Sequence, residues 1–141
     1  MRHISVLIAL ILITFFSSCK VNQKVNGEKV GKWVYKTTIN EKTDIHKGRY
    51  KKDGFQKGTW RYKYDGKLYK KEEFRDSTAV VTYYHPNRKV ASIGNIIYVK
   101  EKKGLHYYYV GSWFIYNPKG ILIEVKHYSK GVLEHHTIVR Q

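Results

Sequence analysis

Asp53-Gly54-Phe55-Gln56-Lys57-Gly58-Thr59-Trp60-Arg61-Tyr62-Lys63-Tyr64-Asp65-Gly66 is the stretch on which the fold turns. Trp60, Tyr62 and Tyr64 alternate with Arg61 and Lys63, the period of two that marks a half-buried strand. Asp-Gly pairs bracket the run, and such pairs supply the positive φ angles of a tight hairpin turn. A helical reading fails: glycine recurs too often along the chain, and no long apolar stripe at 3.6-residue spacing appears.

Working outward, the same grammar recurs. Asn26-Gly27-Glu28-Lys29-Val30-Gly31-Lys32-Trp33 matches Asp53 to Trp60 at an offset of 27 residues. Gly111-Ser112-Trp113 repeats the end of the motif 53 residues after Gly58, about two periods on. A second element follows the Trp. Tyr64 to Leu68, Tyr84 to Val90 and Tyr116 to Leu122 each read as Tyr, a turn, then an aliphatic residue, with Pro86 and Pro118 at turn positions. The unit is about 27 residues long and occurs roughly four times. The third copy lacks its Gly-x-Trp, and a long Thr37–Lys47 link and an insert around Val99–Leu105 interrupt the phase. Tyr107 to Val110 and Trp113 to Tyr116 are apolar on both faces, so that strand is expected to be the best covered.

Composition sets bounds. The chain has 141 residues and a mass of 16.7 kDa, enough for one domain, or for one domain plus a processing segment. Its 27 Lys and Arg against 11 Asp and Glu give a formal charge of +16. A single Cys excludes a disulfide framework and any multi-cysteine metal site. Thirteen Tyr with only two Pro exclude a disordered polycation and suit pleated, half-buried surfaces.

The N-terminus carries a different signal. Met1-Arg2-His3 precedes Ile4 to Phe16, thirteen residues without a charge. As a helix these span roughly 20 Å at ~1.5 Å per residue, short of the ~30 Å hydrocarbon core. A basic start and a short apolar run are the layout of an export signal. The run ends Phe16-Ser17-Ser18-Cys19 and resembles a bacterial lipoprotein signal with its lipobox, although Phe16 departs from the usual Leu. The resemblance implies a signal helix at 1–18, removed by a peptidase, and a lipid on the Cys19 thiol. The alternative is that Cys19 is an ordinary small residue behind a signal. Lipoprotein cysteines carry two or three acyl chains, enough for a firm membrane anchor. Lys20 follows, with no acid until Glu28, so by resemblance neither an acidic retention nor an acidic surface-export signal is present. The expected location is the cell envelope, at the periplasmic face of an outer membrane. Residues 19–26 form the lipidated Cys and a short tether, and 27–141 the repeat domain. Loss of Arg2 lowers the charge to +15.

The repeat domain resembles MORN repeats, and more closely their bacterial variant, the YwqK-like antitoxin family. The carrying motifs are Gly31-Lys32-Trp33-Val34-Tyr35, Gly58-Thr59-Trp60-Arg61-Tyr62, and Gly111-Ser112-Trp113 with Tyr116. Tyr50-Lys51-Lys52-Asp53-Gly54 and Tyr128-Ser129-Lys130-Gly131 fit as well. The resemblance covers roughly residues 26–135 and implies an all-β fold, an elongated antiparallel sheet of successive hairpins. Each hairpin cannot bury its apolar face alone, so neighbours stack. Trp33, Trp60 and Trp113 are expected to be structural spacers between units. The tyrosines suit a face that is partly wet. The family name implies a toxin-neutralising protein, and with it a toxin or another envelope protein as partner.

Candidate chemistry is sparse. His135 and His136 are adjacent, so in a strand they face opposite sides. His127, eight residues earlier, would share a face with His135 but lie about 25 Å away along an extended strand. Glu72 and Glu73 read as a solvated turn or strand edge. No Ser-His-Asp constellation follows from the spacing, and no Gly-rich loop precedes a helix. The expectation is a lipid-anchored envelope protein, a non-catalytic binding or scaffolding module without cofactor or metal, with toxin neutralisation and polyanion binding as the alternatives. Lys51, Lys52, Arg61, Lys63, Lys70 and Lys71, interleaved with tyrosines, are candidates for a polyanion surface. The export signal points away from nucleic acid and towards anionic lipid or acidic glycan, to which juxtamembrane basic residues contribute about 1 kcal/mol each. The same lysines would serve equally to solubilise the sheet and block edge-to-edge pairing.

Overall fold

The computed structural model describes residues 20–101 and 104–140. The export signal at 1–18 and Cys19 lie outside the described residues. The described chain is all-β. Ten antiparallel strands form one sheet: β1 (Gln23–Val25), β2 (Glu28–Ile39), β3 (Lys42–Tyr50), β4 (Gln56–Tyr64), β5 (Lys67–Arg75), β6 (Thr78–Tyr84), β7 (Val90–Glu101), β8 (Gly104–Tyr116), β9 (Leu122–Ser129) and β10 (Val132–Ile138). Their order in the sheet is their order in the chain. Each strand therefore pairs only with its sequence neighbours.

Tight turns set this order. Asn26-Gly27, Asp65-Gly66 and Lys130-Gly131 hold positive φ at both central residues, the backbone that matches the twist of a two-residue hairpin. Asn40-Glu41 does the same without glycine, with φ of 48° and 64°. The expected Thr37–Lys47 link is thus no link. It is the end of β2, this turn and the start of β3, paired from Ile39↔Lys42 to Val34↔Lys47. The insert at Val99–Leu105 likewise belongs to the long β7–β8 hairpin, paired out to Glu101↔Gly104. The two proline turns resemble each other: the His85 N–H donates to the Lys89 carbonyl, and the Asn117 N–H to the Ile121 carbonyl, at 2.8 and 2.9 Å. They dock side by side, Asn87 Nδ2 donating to the Pro118 carbonyl and Lys89 Nζ to the Lys119 carbonyl, each at 2.7 Å.

One face of the sheet holds the core. Trp33, Trp60, Tyr62, Phe74, Ala79, Val81, Ile96, Tyr98 and Trp113 are buried there, and Tyr35, Tyr50, Tyr83, Ile115 and Tyr128 pack against them. Among the described residues no helix covers this face; the sheet curls over itself. At ~4.8 Å per strand, β4 and β8 would lie about 19 Å apart in a flat sheet. Yet the Tyr107 hydroxyl of β8 donates to Gln56 Oε1 of β4 at 3.0 Å, and the Phe55 and Tyr98 rings lie 5.6 Å apart. The aromatic face is therefore concave and the opposite face convex.

The repeat glycines have a shared purpose. Gly31, Gly58 and Gly111, each two residues before a Trp, sit at φ of 70°, 61° and 64°, a region that a Cβ disfavours. They bend the strand so that the following Trp turns into the concave face. Two further glycines receive those rings. The Trp60 ring lies on Gly48 of β3 and the Trp113 ring on Gly94 of β7, and a Cβ at either glycine would overlap the indole. Each indole N–H then donates to the carbonyl of the residue after the glycine: Trp60 to Arg49 at 3.1 Å, Trp113 to Asn95 at 3.2 Å.

Candidate functional site

Two regions are built from polar side chains, one on each face. On the concave face, β4 to β8 enclose a hollow of about 320 Å³. Its polar base is Glu72, in the middle of β5 and only 8% exposed. The Tyr62 hydroxyl donates to Glu72 Oε2, and Lys70 Nζ donates to Oε1 at 3.1 Å. The Lys70 ammonium also lies 3.8 Å from the centre of the Tyr62 ring, a cation–π contact. Glu72 is thus no solvated residue. Strand alternation sends Glu73 to the convex face, beside Lys71 at 2.9 Å, and Glu72 inwards.

Val81 and Ile96 give the hollow an apolar floor, and Tyr83, Tyr107 and Tyr109 give it aromatic walls. The Tyr109 ring stacks on Trp113 at 4.2 Å. Burial, with the Glu72 carboxylate next, holds the Tyr62 hydroxyl well above the ordinary tyrosine range. Burial, with the neighbouring Tyr109 hydroxyl next, does the same for Tyr83. Tyr107, half-exposed at the rim with its hydroxyl turned in to Gln56, is pushed up to about 12 by burial and then by Glu72. These hydroxyls remain proton donors at neutral pH. Beside the hollow, His46 Nε2 lies 2.9 Å from Asp44 and 3.2 Å from the Tyr69 hydroxyl.

On the convex face, register gathers cations. Lys32, Arg49 and Lys57 share one row across β2, β3 and β4, and Lys47, Arg61 and Lys71 share the next across β3, β4 and β5. Lys36 and Lys63 flank Ile45 in a third. Lys32, Lys47, Arg49, Lys57 and Arg61 line a shallow depression of about 410 Å³. Lys32, Lys36, Lys47, Arg49, Lys57, Arg61 and Lys63 are all exposed. Among the described residues none of them has an acidic partner within ion-pair distance.

The basic residues singled out by sequence thus do not form one surface. Arg61, Lys63 and Lys71 share the convex face. Lys70 points the other way, into the hollow. Lys51 and Lys52 lie in the turn after β3, Lys51 4.0 Å from Asp76. Lys32, Lys36, Lys47, Arg49 and Lys57 complete the belt, and only strand register could have found them.

The motif aromatics divide as well. Trp33, Trp60, Trp113, Tyr35 and Tyr62 belong to the core. Tyr116 does not. It lines a convex depression with Ile93, and Ile115 takes the core position instead. His127 and His135 are cross-strand partners with rings stacked at 5.1 Å, because the Lys130-Gly131 turn folds one onto the other. The separation of 25 Å expected for one extended strand does not apply.

Comparison of the chain with family models, with curated proteins and with solved structures finds no match.

Proposed function

We propose that this protein is a non-catalytic, lipid-anchored module of the cell envelope that binds an anionic surface through its convex face. The observation that carries the reading is the belt of exposed cations from Lys32 to Lys63, unpaired among the described residues. A sheet needs charges to stay soluble, but charges of both signs interspersed serve that purpose. A single-sign field on one face attracts polyanions. The lipobox-like ending at Cys19 supports the location, and anionic lipid headgroups are the nearest polyanion to an anchored domain. The resemblance to the hairpin-repeat family supports a binding role rather than chemistry.

Two measurements test this. A radiolabelled fatty acid should mark the wild type and leave Cys19→Ala unlabelled; equal labelling of both removes the anchor. The full chain, solubilised, should co-float with vesicles containing phosphatidylglycerol and much less with phosphatidylcholine alone. Each basic residue near an anionic surface contributes about 1 kcal/mol, so Lys47→Glu with Arg61→Glu should weaken binding by tenfold or more. Raising salt should weaken it steeply. Binding that ignores salt and both substitutions refutes the convex-face reading. Capture of a secreted toxin on crosslinking in native envelope would favour the toxin-neutralising reading instead.

A further inference from the structure

The middle row of the concave face reads Gly48, Trp60, Glu72, Val81, Gly94, Trp113 across β3 to β8. In the first and last pairs a tryptophan lies on a glycine. In the middle pair Glu72 stands where the glycine would and Val81 where the tryptophan would. This is the copy of the repeat that lacks Gly-x-Trp. Without an indole the space stays open, and it is the 320 Å³ hollow. That volume lies at the small end of ligand sites.

The polar base of this hollow has no structural need. A buried ion pair is commonly no more stabilising than apolar side chains of the same volume. Here an apolar Trp–Gly pair was available, since the chain uses it on both sides. Glu72, Lys70 and Tyr62 instead keep spare capacity: each carboxylate oxygen holds a second lone pair, and the ammonium has further protons. Their charges cancel, so the base presents an adjacent donor and acceptor without net charge. Beside it Val81 and Ile96 continue the floor as an apolar surface, and the rings of Tyr83, Tyr107 and Tyr109 stand around it.

From this the geometry points to a binding site for a neutral, hydroxylated ring compound of pyranose size. Vicinal hydroxyls would donate to Glu72 and accept from Lys70. The C–H face of the sugar would lie on the tyrosine rings and the apolar floor. The Tyr107–Gln56 bond closes the rim and ties β8 to β4 across the opening. An anionic sugar fits worse, because it would set a third charge beside Glu72.

The test is calorimetric titration of the full chain in a polyoxyethylene detergent, which carries no sugar headgroup. The probes are glucose, N-acetylglucosamine and glucuronate. A neutral sugar should bind saturably and change tryptophan emission, since Tyr109 stacks on Trp113. Lys70→Met removes a charged donor and should weaken binding by about tenfold or more. Gln56→Ala opens the rim and should weaken it less. Glu72→Gly with Val81→Trp restores the repeat's own pair, fills the hollow and should abolish binding while keeping the sheet spectrum. If that double variant does not fold, Lys70→Met and Gln56→Ala carry the test. Lys47→Glu with Arg61→Glu, on the other face, should bind sugar as the wild type does. No heat or emission change with either neutral sugar up to ~50 mM, a range that reaches millimolar affinities, overturns the proposal. So does undiminished binding by Lys70→Met, or glucuronate binding as tightly as glucose.

Discussion

Adding one methyl group at Gly48 should cost this protein more than almost any surface change. The new Cβ would overlap the Trp60 indole, which is 1% exposed and has no room to retreat. Trp60 is held by Tyr35 at 6.2 Å, by Tyr50 at 5.1 Å and by the Arg49 carbonyl at 3.1 Å. Overpacking of this kind costs about 1–3 kcal/mol. Displacing the indole also breaks the N–H bond to Arg49, worth about 1 kcal/mol. For a domain of this size a loss of about 3 kcal/mol lowers the melting temperature by about 10 °C. Circular dichroism melts of wild type and Gly48→Ala measure it. The mechanism demands coupling: in a Trp60→Leu background the same methyl meets a smaller side chain, so Gly48→Ala should cost far less there. A shift of less than ~2 °C in the single variant, or strictly additive effects in the cycle, would refute the glycine-seat account.

Other substitutions probe separate features. Gly58→Ala meets open space but must hold a φ of 61°, so it should cost about 1 kcal/mol, well under the Gly48 change, as urea denaturation will report. Lys29 Nζ lies 5.2 Å from the Trp33 and Tyr35 rings and 5.6 Å from that of Tyr50, and donates to the Tyr35 hydroxyl at 2.8 Å. Lys29→Met should lose about 1–2 kcal/mol and Lys29→Arg much less; equal losses would discount the cation–π contribution. Glu72→Leu strands the Lys70 ammonium and should cost about 3–5 kcal/mol, whereas adding Lys70→Met should recover a large part of it. Alkaline pH should also destabilise the fold. Burial raises Tyr62 and Tyr83, and pushes Tyr107 up to about 12, so the unfolded chain loses protons first. Stability present below about pH 10 then falls as pH rises towards the folded values, by ~1.4 kcal/mol per pH unit for each of Tyr62 and Tyr83 and by less for the half-exposed Tyr107, whose contribution solvent screens. Urea midpoints at about pH 8 and pH 11 that coincide would contradict this.

Local chemistry made much of the sheet legible. Trp60-Arg61-Tyr62 announced a strand by alternation, and Asn26-Gly27 and Asp65-Gly66 announced turns because few other pairs tolerate their φ angles. Asn40-Glu41 hid its turn, since glutamate at φ 64° carries no such signal, and Thr37–Lys47 passed for a link. What depends on register stayed hidden. Nothing near Gly48 or Gly94 in sequence marks them as seats for indoles 12 and 19 residues away. Glu72 beside Glu73 looks like a wet pair until the strand splits them between two faces. The convex belt draws Lys32, Lys47, Arg49 and Lys57 from three strands, and their proximity exists only once β2, β3 and β4 are aligned. The missing Gly-x-Trp of the third copy was visible as a gap in the pattern; that the gap is a hollow with a polar base was not.

The sequential strand order has a mechanical consequence. β1 and β10 are the two outer edges of the sheet, and the described residues begin and end beside them. Force applied between those ends pulls across the strands and loads the hydrogen bonds of one ladder at a time, so the sheet should peel hairpin by hairpin rather than shear as a block. The Tyr107–Gln56 bond is an exception, tying β8 to β4 across 51 residues. A pulling trace should therefore be a series of small, low-force steps of about 15–25 residues each, with one higher step when the curled centre opens. A domain tethered at one end would yield gradually to a load on the other and re-form in the reverse order when released.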